Sequence, residues 1–118
     1  MTSTNLIGPY RLDYDGVTSA IGDTVAGAFA LGYERGDGIF RINYVGSSRD
    51  SLRAQLLDRI GSDQLFKFRI CATAEQAFHD ECMLFHDFHP PLNRIHPARP
   101  AGTDWVCPRC LQVSTRRR

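Results

Sequence analysis

Hydrophobic and polar positions alternate along two neighbouring stretches of the chain, with a turn-forming segment between them. Over Val25–Tyr33, large residues alternate with Ala and Gly, which predicts a strand with a close-packed second face. Glu34–Gly38 has the composition of a turn, and the alternation resumes over Ile39–Val45 before Gly46-Ser47-Ser48 ends the strand. We therefore expect an antiparallel hairpin.

The next two periodic segments have helical and then strand spacing. Apolar residues recur every four positions within Asp50–Ile60, which predicts a helix with Gly61 as its C-terminal cap. Alternation returns over Leu65–Cys71 and predicts a third strand.

A second helix is predicted after the third strand. A capping box of the Thr-x-x-Gln type begins it at Thr73, and Pro90-Pro91 stops it at about Phe88 or His89. The order strand, strand, helix, strand, helix predicts an α/β (α+β) fold. Its sheet would have three strands, be mainly antiparallel and be flanked by helices.

The segments on either side of this core lack a sustained period. Residues 1–24 predict an extended arm packed on the core, which comprises residues 25–93. Residues 94–118 predict an irregular tail, because Pro residues interrupt it. The basic end of that tail, Thr115–Arg118, either adds nonspecific phosphate affinity or has no role.

The composition indicates one small globular domain, since the 118 residues are 42% hydrophobic and 10% aromatic. No apolar run approaches the roughly 20 residues that span a bilayer, and residues 1–5 do not resemble a signal peptide. We therefore expect a cytoplasmic protein, in which four cysteines indicate metal ligands or buried thiols rather than disulfides. A net charge of +1 argues against a protein that coats polyanions in bulk.

The second predicted helix carries a carboxylate within its apolar stripe. Glu81 follows Phe78 by three residues and precedes Phe85 by four, so it faces the sheet. A carboxylate in that position is costly unless it is paired. Glu81 therefore either forms an ion pair with Arg41 or Arg53, or is a ligand for a hard divalent cation.

Tyr44 closes the second strand just before Gly46, where backbone N–H groups lie open next to a phenol. A tyrosine at a strand end is commonly a core residue with a solvated hydroxyl. Beside a buried carboxylate and an Arg-bearing helix, the same phenol is a candidate acid–base group in phosphoryl chemistry.

Several of these segments together resemble the GIY-YIG nucleases. Gly27-Ala28-Phe29-Ala30-Leu31 looks like the first motif of that family, and Tyr44-Val45-Gly46 with the following helix looks like the second. The third strand, the helix with Glu81 and the Pro90-Pro91-Leu92-Asn93 ending come in the family's order. The resemblance covers about residues 25–93.

The resemblance implies hydrolysis of a DNA phosphodiester bond, with a single Mg²⁺ or Mn²⁺ ion held by Glu81. It also implies that Tyr44 activates or orients the attacking water and that an Arg of the first helix stabilises the phosphate. Asn93 would support the site.

Two positions depart from the family's pattern. Phe29 replaces the tyrosine of the first motif and lacks its hydroxyl, and Gln55 occupies the position of the catalytic arginine. Gln donates hydrogen bonds but cannot neutralise the charge that develops on the phosphate. Arg53, Arg41 and Arg49 are the other candidate donors and the expected contacts to nucleic acid.

The tail contains Cys107-Pro108-Arg109-Cys110, which has the Cys-x-x-Cys spacing of half a tetrahedral zinc site. Cys82 and His86, at i and i+4 on the second helix, complete a Cys₃His set, and His96 competes for the fourth place. A structural zinc ion would tether the Pro-rich tail. The alternatives are a redox pair or incidental thiols.

The leading hypothesis is a zinc-stabilised, GIY-YIG-like endonuclease that acts on DNA, with a protein partner as one source of specificity. The alternative is a catalytically inactive module that binds nucleic acid or protein, and a third is a small structural protein whose only metal is zinc. An active enzyme needs Glu81 and a second, labile metal, whereas a pure binder tolerates Glu81→Gln.

Overall fold

The computed structural model describes residues 6–110, and within that range the chain forms four strands and three helices. In chain order they are β1 (Ile7–Arg11), α1 (Tyr14–Ala20), β2 (Ala26–Tyr33), β3 (Arg41–Ser48), α2 (Leu52–Leu57), β4 (Leu65–Cys71) and α3 (Ala74–Phe88). From β2 onward this is the predicted order. The α+β class, with an antiparallel sheet flanked by helices, is confirmed. The basic segment Thr115–Arg118 lies outside the described residues.

The N-terminal arm supplies two elements that the periodicity did not reveal. β1 pairs antiparallel with β4, so the sheet has four strands and not the three predicted. All five residues of β1 are exposed, which leaves no apolar alternation to recognise. The seven-residue α1 begins at the N-cap Asp13, whose carboxylate accepts a hydrogen bond from the Gly16 N–H at 2.7 Å.

The strands lie in the order β1-β4-β2-β3, and each neighbouring pair is antiparallel. β2 and β3 form the predicted hairpin, with Phe29 opposite Gly46. β1 and β3 are the two edges of the sheet. The pairing of β1 with β4 is interrupted between Ile7 and Tyr10, where Pro9 has no N–H to donate.

Helices cover both faces of the sheet. On the face covered by α1 and α2, the buried core comprises Leu12, Val17, Ile21, Phe29, Leu31, Leu52, Leu56, Phe66 and Phe68. On the other face, Leu84 of α3 packs against Ala28, Ala30 and Val45. Because side chains alternate along a strand, Ala28 and Ala30 of β2 both lie under α3, and their small size lets the helix approach the sheet closely.

The predicted starts of β2, β3 and α2 differ from the observed ones by one or two residues, and the ends of β3 and α2 differ by three. β3 continues through Gly46 to Ser48, because these residues still pair with β2. α2 ends at Leu57 rather than at Ile60, since the next backbone bonds tighten to i−3 spacing, from the Arg59 N–H to Leu56 and from the Ile60 N–H to Leu57.

α3 begins and ends as its capping residues predict. The Thr73 hydroxyl accepts from the Gln76 N–H at 3.1 Å, and Gln76 in turn accepts from the Ala72 N–H at 3.2 Å. The helix ends at His89, which has a left-handed backbone with φ 44°. Neither α3, with 15 residues, nor any other helix within residues 6–110 is long and apolar enough to cross a membrane.

Gly46 is expected to tolerate no side chain. Phe29 is fully buried against it, and a Cβ at position 46 would lie 2.5 Å from Phe29 Cζ. Gly46→Ala should lower the free energy of unfolding by about 1–3 kcal/mol, because the ring has to move. Urea unfolding followed by circular dichroism measures the change. Gly22→Ala is the control, since a Cβ there meets no atom within 4 Å; equal losses in the two variants would contradict the packing.

Candidate functional site

A cavity of about 310 Å³ opens at the edge of the sheet where β3 ends. It is lined by residues from the end of β3 and its loop, from α2 and α3, and from the segment after α3, namely Ser47, Ser48, Arg49, Asp50, Gln55, Phe78, Glu81, Ala98 and Pro100. Because β3 is an edge strand, groups from both faces of the sheet reach the cavity. Three of the predicted site residues, Glu81, Gln55 and Arg49, meet here.

Glu81 reaches this cavity from α3. The Ser47 hydroxyl donates a hydrogen bond of 2.6 Å to Glu81 Oε1. Burial raises the pKa of the Glu81 carboxyl above its ordinary value, although the Ser47 hydrogen bond and the nearby His96 ring oppose the shift. A desolvated carboxylate next to an open cavity is a suitable ligand for a metal ion.

The ion-pair interpretation of Glu81 is wrong, because both proposed partners are bound elsewhere. Arg41 pairs with Asp37 at 2.7 Å, and Arg53 pairs with Asp23 at 3.0 Å. Neither arginine lines the cavity. Their guanidinium charges are already compensated, so the structure offers neither as a phosphate ligand beside Glu81.

Arg49 is the predicted arginine that does line the cavity. Its guanidinium carbon lies 5.8 Å from the centre of the Trp105 ring. Within residues 6–110 it forms no ion pair with a carboxylate. An aromatic partner leaves the positive charge of a guanidinium uncompensated, so Arg49 retains the ability to bind an anion.

The two positions that depart from the GIY-YIG pattern have different surroundings. Gln55 lines the cavity, so the position at which the resemblance implies an arginine does face Glu81. Phe29 is 1% exposed and packs in the core under α1 and α2, with its ring 6.2 Å from that of Tyr44. Phe29 therefore acts as a packing residue at a site with no access to solvent.

Tyr44 is not among the residues that line the cavity. It packs on the core beneath α1 and α2, whereas Ser47, three residues later, bonds to Glu81 on the α3 side. The phenol oxygen accepts a hydrogen bond of 2.8 Å from Arg59, whose guanidinium also lies 4.3 Å from the ring centre. The structure thus pairs Tyr44 with an arginine and does not bring it beside the Glu81 carboxylate.

Arg59 and Ser47 were not among the predicted site residues. Arg59 follows Gln55 by four residues, so helical spacing could have associated the two. Ser47 was missed because the strand was expected to end at Gly46. If the alternation of β3 is continued from Val45 to Ser47, both side chains lie on the face of the sheet that packs against α3.

Asn93 supports the site from the outer edge of β3. Its side-chain oxygen accepts from the Val45 N–H at 2.7 Å, and its amide nitrogen donates to the Val45 carbonyl at 3.0 Å. The Leu92 N–H donates to the Asn43 carbonyl at 2.9 Å. Asn93 therefore completes the backbone hydrogen bonding of an edge strand, as a neighbouring strand would.

A second group of polar side chains lies where α3 meets the tail. His86, His96, Cys107 and Cys110 each offer one ligand atom, and these atoms all lie within 4.8 Å of one another. We call this group the Cys/His cluster. Cys110 Sγ is 3.3 Å from His86 Nε2, and the Cys110 N–H donates to Cys107 Sγ at 3.4 Å. Two imidazoles and two thiols of this spacing could hold a metal ion.

The protonation of the Cys/His cluster suits metal binding. His96 Nδ1 lies 2.8 Å from the Pro97 carbonyl, and its buried Nε2 accepts no hydrogen bond from any group within residues 6–110. Burial lowers the pKa of His86, which keeps that ring neutral. Burial would raise the pKa of Cys107, but the hydrogen bond from the Cys110 N–H helps to lower it overall. A ring nitrogen with a free lone pair, as at His96 Nε2, and a thiol with a lowered pKa, as at Cys107, both favour metal binding.

Cys82 lies outside the Cys/His cluster, in contrast to the predicted Cys₃His set. The structure brings both histidines into the cluster instead, because the segment after Asn93 returns His96 to α3. Cys82 is fully buried in an apolar group with Phe78 and Cys107. Burial raises the pKa of the Cys82 thiol, so it belongs to the packing beneath the cluster.

No protein-family model, no curated protein and no solved structure matches this chain. The resemblance to the GIY-YIG nucleases therefore depends on the motifs over residues 25–93 and their order. Membership of that family stays a prediction.

The Asn93 contact predicts a local change in hydrogen exchange. Asn93→Ala should raise the exchange rate of the Val45 amide about tenfold, the equivalent of losing a hydrogen bond worth ~1.4 kcal/mol. The amide of Tyr44 points toward β2 and should change much less, since successive residues of a strand direct their N–H groups to opposite sides. Amide exchange followed by NMR measures both rates. Equal acceleration at the two positions would indicate a general loss of stability instead.

The Cys/His cluster predicts which substitutions remove a bound metal ion. Cys110→Ala and His96→Ala should each lose metal, whereas Cys82→Ala and the control Cys71→Ala should keep it. Cys71 is a suitable control, because its thiol contacts Asp80 at 3.2 Å and lies outside the cluster. Metal per protein is measured by plasma mass spectrometry after dialysis. Loss of metal in Cys82→Ala with retention in His96→Ala would restore the Cys₃His set.

Proposed function

We propose that this protein is a metal-dependent endonuclease that hydrolyses DNA phosphodiester bonds in the cavity beside β3. The observation that carries the proposal is that a desolvated carboxylate, Glu81, lines the same open cavity as Arg49, which has no carboxylate partner in the described part of the chain. Hydrolysis of a phosphodiester needs a ligand for a divalent cation and a positive group for the phosphate. The order of the motifs over residues 25–93 supports the same assignment.

Glu81 would hold the catalytic ion, Mg²⁺ or Mn²⁺, since both prefer carboxylate oxygens. The surroundings of Glu81 fit this role, because burial has removed water from the carboxylate and the cavity leaves it accessible. Such an ion, when bound, polarises a phosphoryl oxygen and acidifies water. The Ser47 hydroxyl holds one carboxylate oxygen at 2.6 Å and so orients the ligand.

The remaining groups would bind the nucleic-acid backbone. A volume of about 310 Å³ is at the lower end of ligand sites and is large enough for a phosphodiester group. Arg49 would neutralise the phosphate, while Gln55 would donate a hydrogen bond. The Tyr44–Arg59 pair lies on the α2 side of the same strand, where Arg59 extends the surface available to a polyanion.

We also propose that the Cys/His cluster holds a structural zinc ion. Two thiolates and two imidazoles form the tetrahedral nitrogen and sulfur set typical of zinc, and four protein ligands leave no position open for substrate. Ala98 and Pro100, which line the cavity, lie between the ligands His96 and Cys107. The zinc would therefore hold one wall of the cavity in place.

The second candidate function is a binding module without catalysis, and Gln55 favours it. With Gln55 at that position, Arg49 is the single arginine among residues 6–110 that lines the cavity. The loss of one electrostatic donor to the transition state costs on the order of 10²–10³ in rate. A chain that retained Arg49 and Arg59 would still bind nucleic acid after such a loss.

The nuclease proposal predicts metal-dependent nicking that requires Glu81. The zinc-loaded protein is incubated with supercoiled plasmid, and with branched and flapped oligonucleotides, in Mg²⁺ or Mn²⁺. Glu81→Gln should lose at least about 10²-fold in rate, since the metal ligand is removed. Glu75→Gln is the matched control, because Glu75 lies on the same helix but outside the cavity, next to His79.

The outcomes separate the two candidate functions. Cleavage that disappears in Glu81→Gln and persists in Glu75→Gln supports the nuclease. Nicking that persists in Glu81→Gln contradicts it. Absence of cleavage, with equal DNA affinity in the wild type and Glu81→Gln, indicates the binding module.

A further inference from the structure

Trp105 lies between the Cys/His cluster and the cavity that contains Glu81. It is the only tryptophan of the chain. On one side it packs on the small apolar group of Phe78, Cys82 and Cys107, with its ring centre 6.4 Å from that of Phe78. On the other side its ring is 5.8 Å from the guanidinium carbon of Arg49.

The position of the Trp105 ring depends on the Cys/His cluster. Trp105 precedes the cluster residue Cys107 by two positions, in a part of the tail without a helix or strand. Backbone hydrogen bonds of secondary structure do not hold this segment. Packing on Phe78 and Cys107 holds Trp105, and metal binding at Cys107 and Cys110 would fix the segment further.

Arg49 differs from most arginines of the described chain in having an aromatic partner. Arg11, Arg41, Arg53, Arg69 and Arg109 all pair with aspartates. An aspartate orients a guanidinium and also cancels its charge. An aromatic ring orients the group through its face and leaves the charge available for an anion.

We propose that Trp105 is a positioning residue that holds the Arg49 guanidinium at the wall of the Glu81 cavity and so makes phosphate binding depend on the order of the Cys/His cluster. This inference rests on the proposed function, in which Arg49 binds the phosphate. Trp105 itself does not contact the substrate. Its contribution to DNA affinity is exerted through Arg49 and disappears when Arg49 is absent.

A double-mutant cycle tests this dependence. The dissociation constant of a short fluorescein-labelled DNA duplex, with Ca²⁺ in place of Mg²⁺, is measured for the wild type, Trp105→Leu, Arg49→Ala and the double variant. Trp105→Leu should weaken binding about fivefold, as expected for loss of one cation–π contact. In the Arg49→Ala background, Trp105→Leu should have no further effect.

The salt dependence of binding supplies a readout that a merely structural role would not change. Arg49→Ala should reduce the slope of log affinity against log salt by about one, because one phosphate contact is lost. Trp105→Leu should reduce the slope in the same direction, and Trp105→Phe should restore most of it. Arg11→Ala is the control, since Arg11 lies on β1 at the other edge of the sheet and pairs with Asp13.

Metal content is measured for every variant. If Trp105→Leu loses metal, the cycle is built with Trp105→Met, which keeps a long apolar side chain on Phe78 but offers no ring face to Arg49. Additive effects of the Trp105 and Arg49 substitutions would overturn the inference and leave the nuclease proposal intact. If the wild type bound no DNA, both would fail, because Arg49 would have no phosphate to bind.

Discussion

The structure around the site depends on one pair of hydrogen bonds, those between the Asn93 side chain and the backbone of Val45. An edge strand needs partners for its outward N–H and C=O groups, and here a single amide supplies both an acceptor and a donor. The chain that leaves α3 is thereby attached to the outside of β3. Ala98 can then line the cavity, and His96 can return to α3 as a member of the Cys/His cluster.

Most of the fold could be predicted because the elements from β2 to α3 have periodic patterns, most of them with one apolar side and one polar side. The alternation of large and small residues in β2 indicated a strand with a close-packed second face, and β2 is buried along most of its length. The arm was predicted to pack on the core, but its strand was missed for the opposite reason: β1 is exposed along its whole length, and its place in the sheet is determined by pairing with β4. The longer β3 was missed because Gly46 resembles a strand end, although it is a glycine that a buried ring requires.

The residue types of the candidate site could be predicted from the sequence, but the contacts between those residues were harder to predict. Helical spacing alone places Glu81 within the apolar stripe of α3, and this position indicated that its carboxylate is buried. Whether Cys82 or His96 joins the cluster depends on how the tail returns to α3, which local spacing does not contain. Which arginine stays available likewise depends on tertiary contacts with aspartates such as Asp23, and these are distant in sequence.

The pairing of arginines with aspartates also has a kinetic consequence. Within residues 6–110, five of the ten arginines pair with aspartates, so much of their positive charge is compensated locally. The field of any single uncompensated guanidinium is screened within about 8 Å at physiological salt. Long-range attraction would therefore do little to accelerate encounter with a polyanion. The association rate constant would be roughly 10⁵–10⁶ M⁻¹s⁻¹, as for proteins without electrostatic steering. Discrimination between binding sites on a polyanion would then come from the dissociation rate.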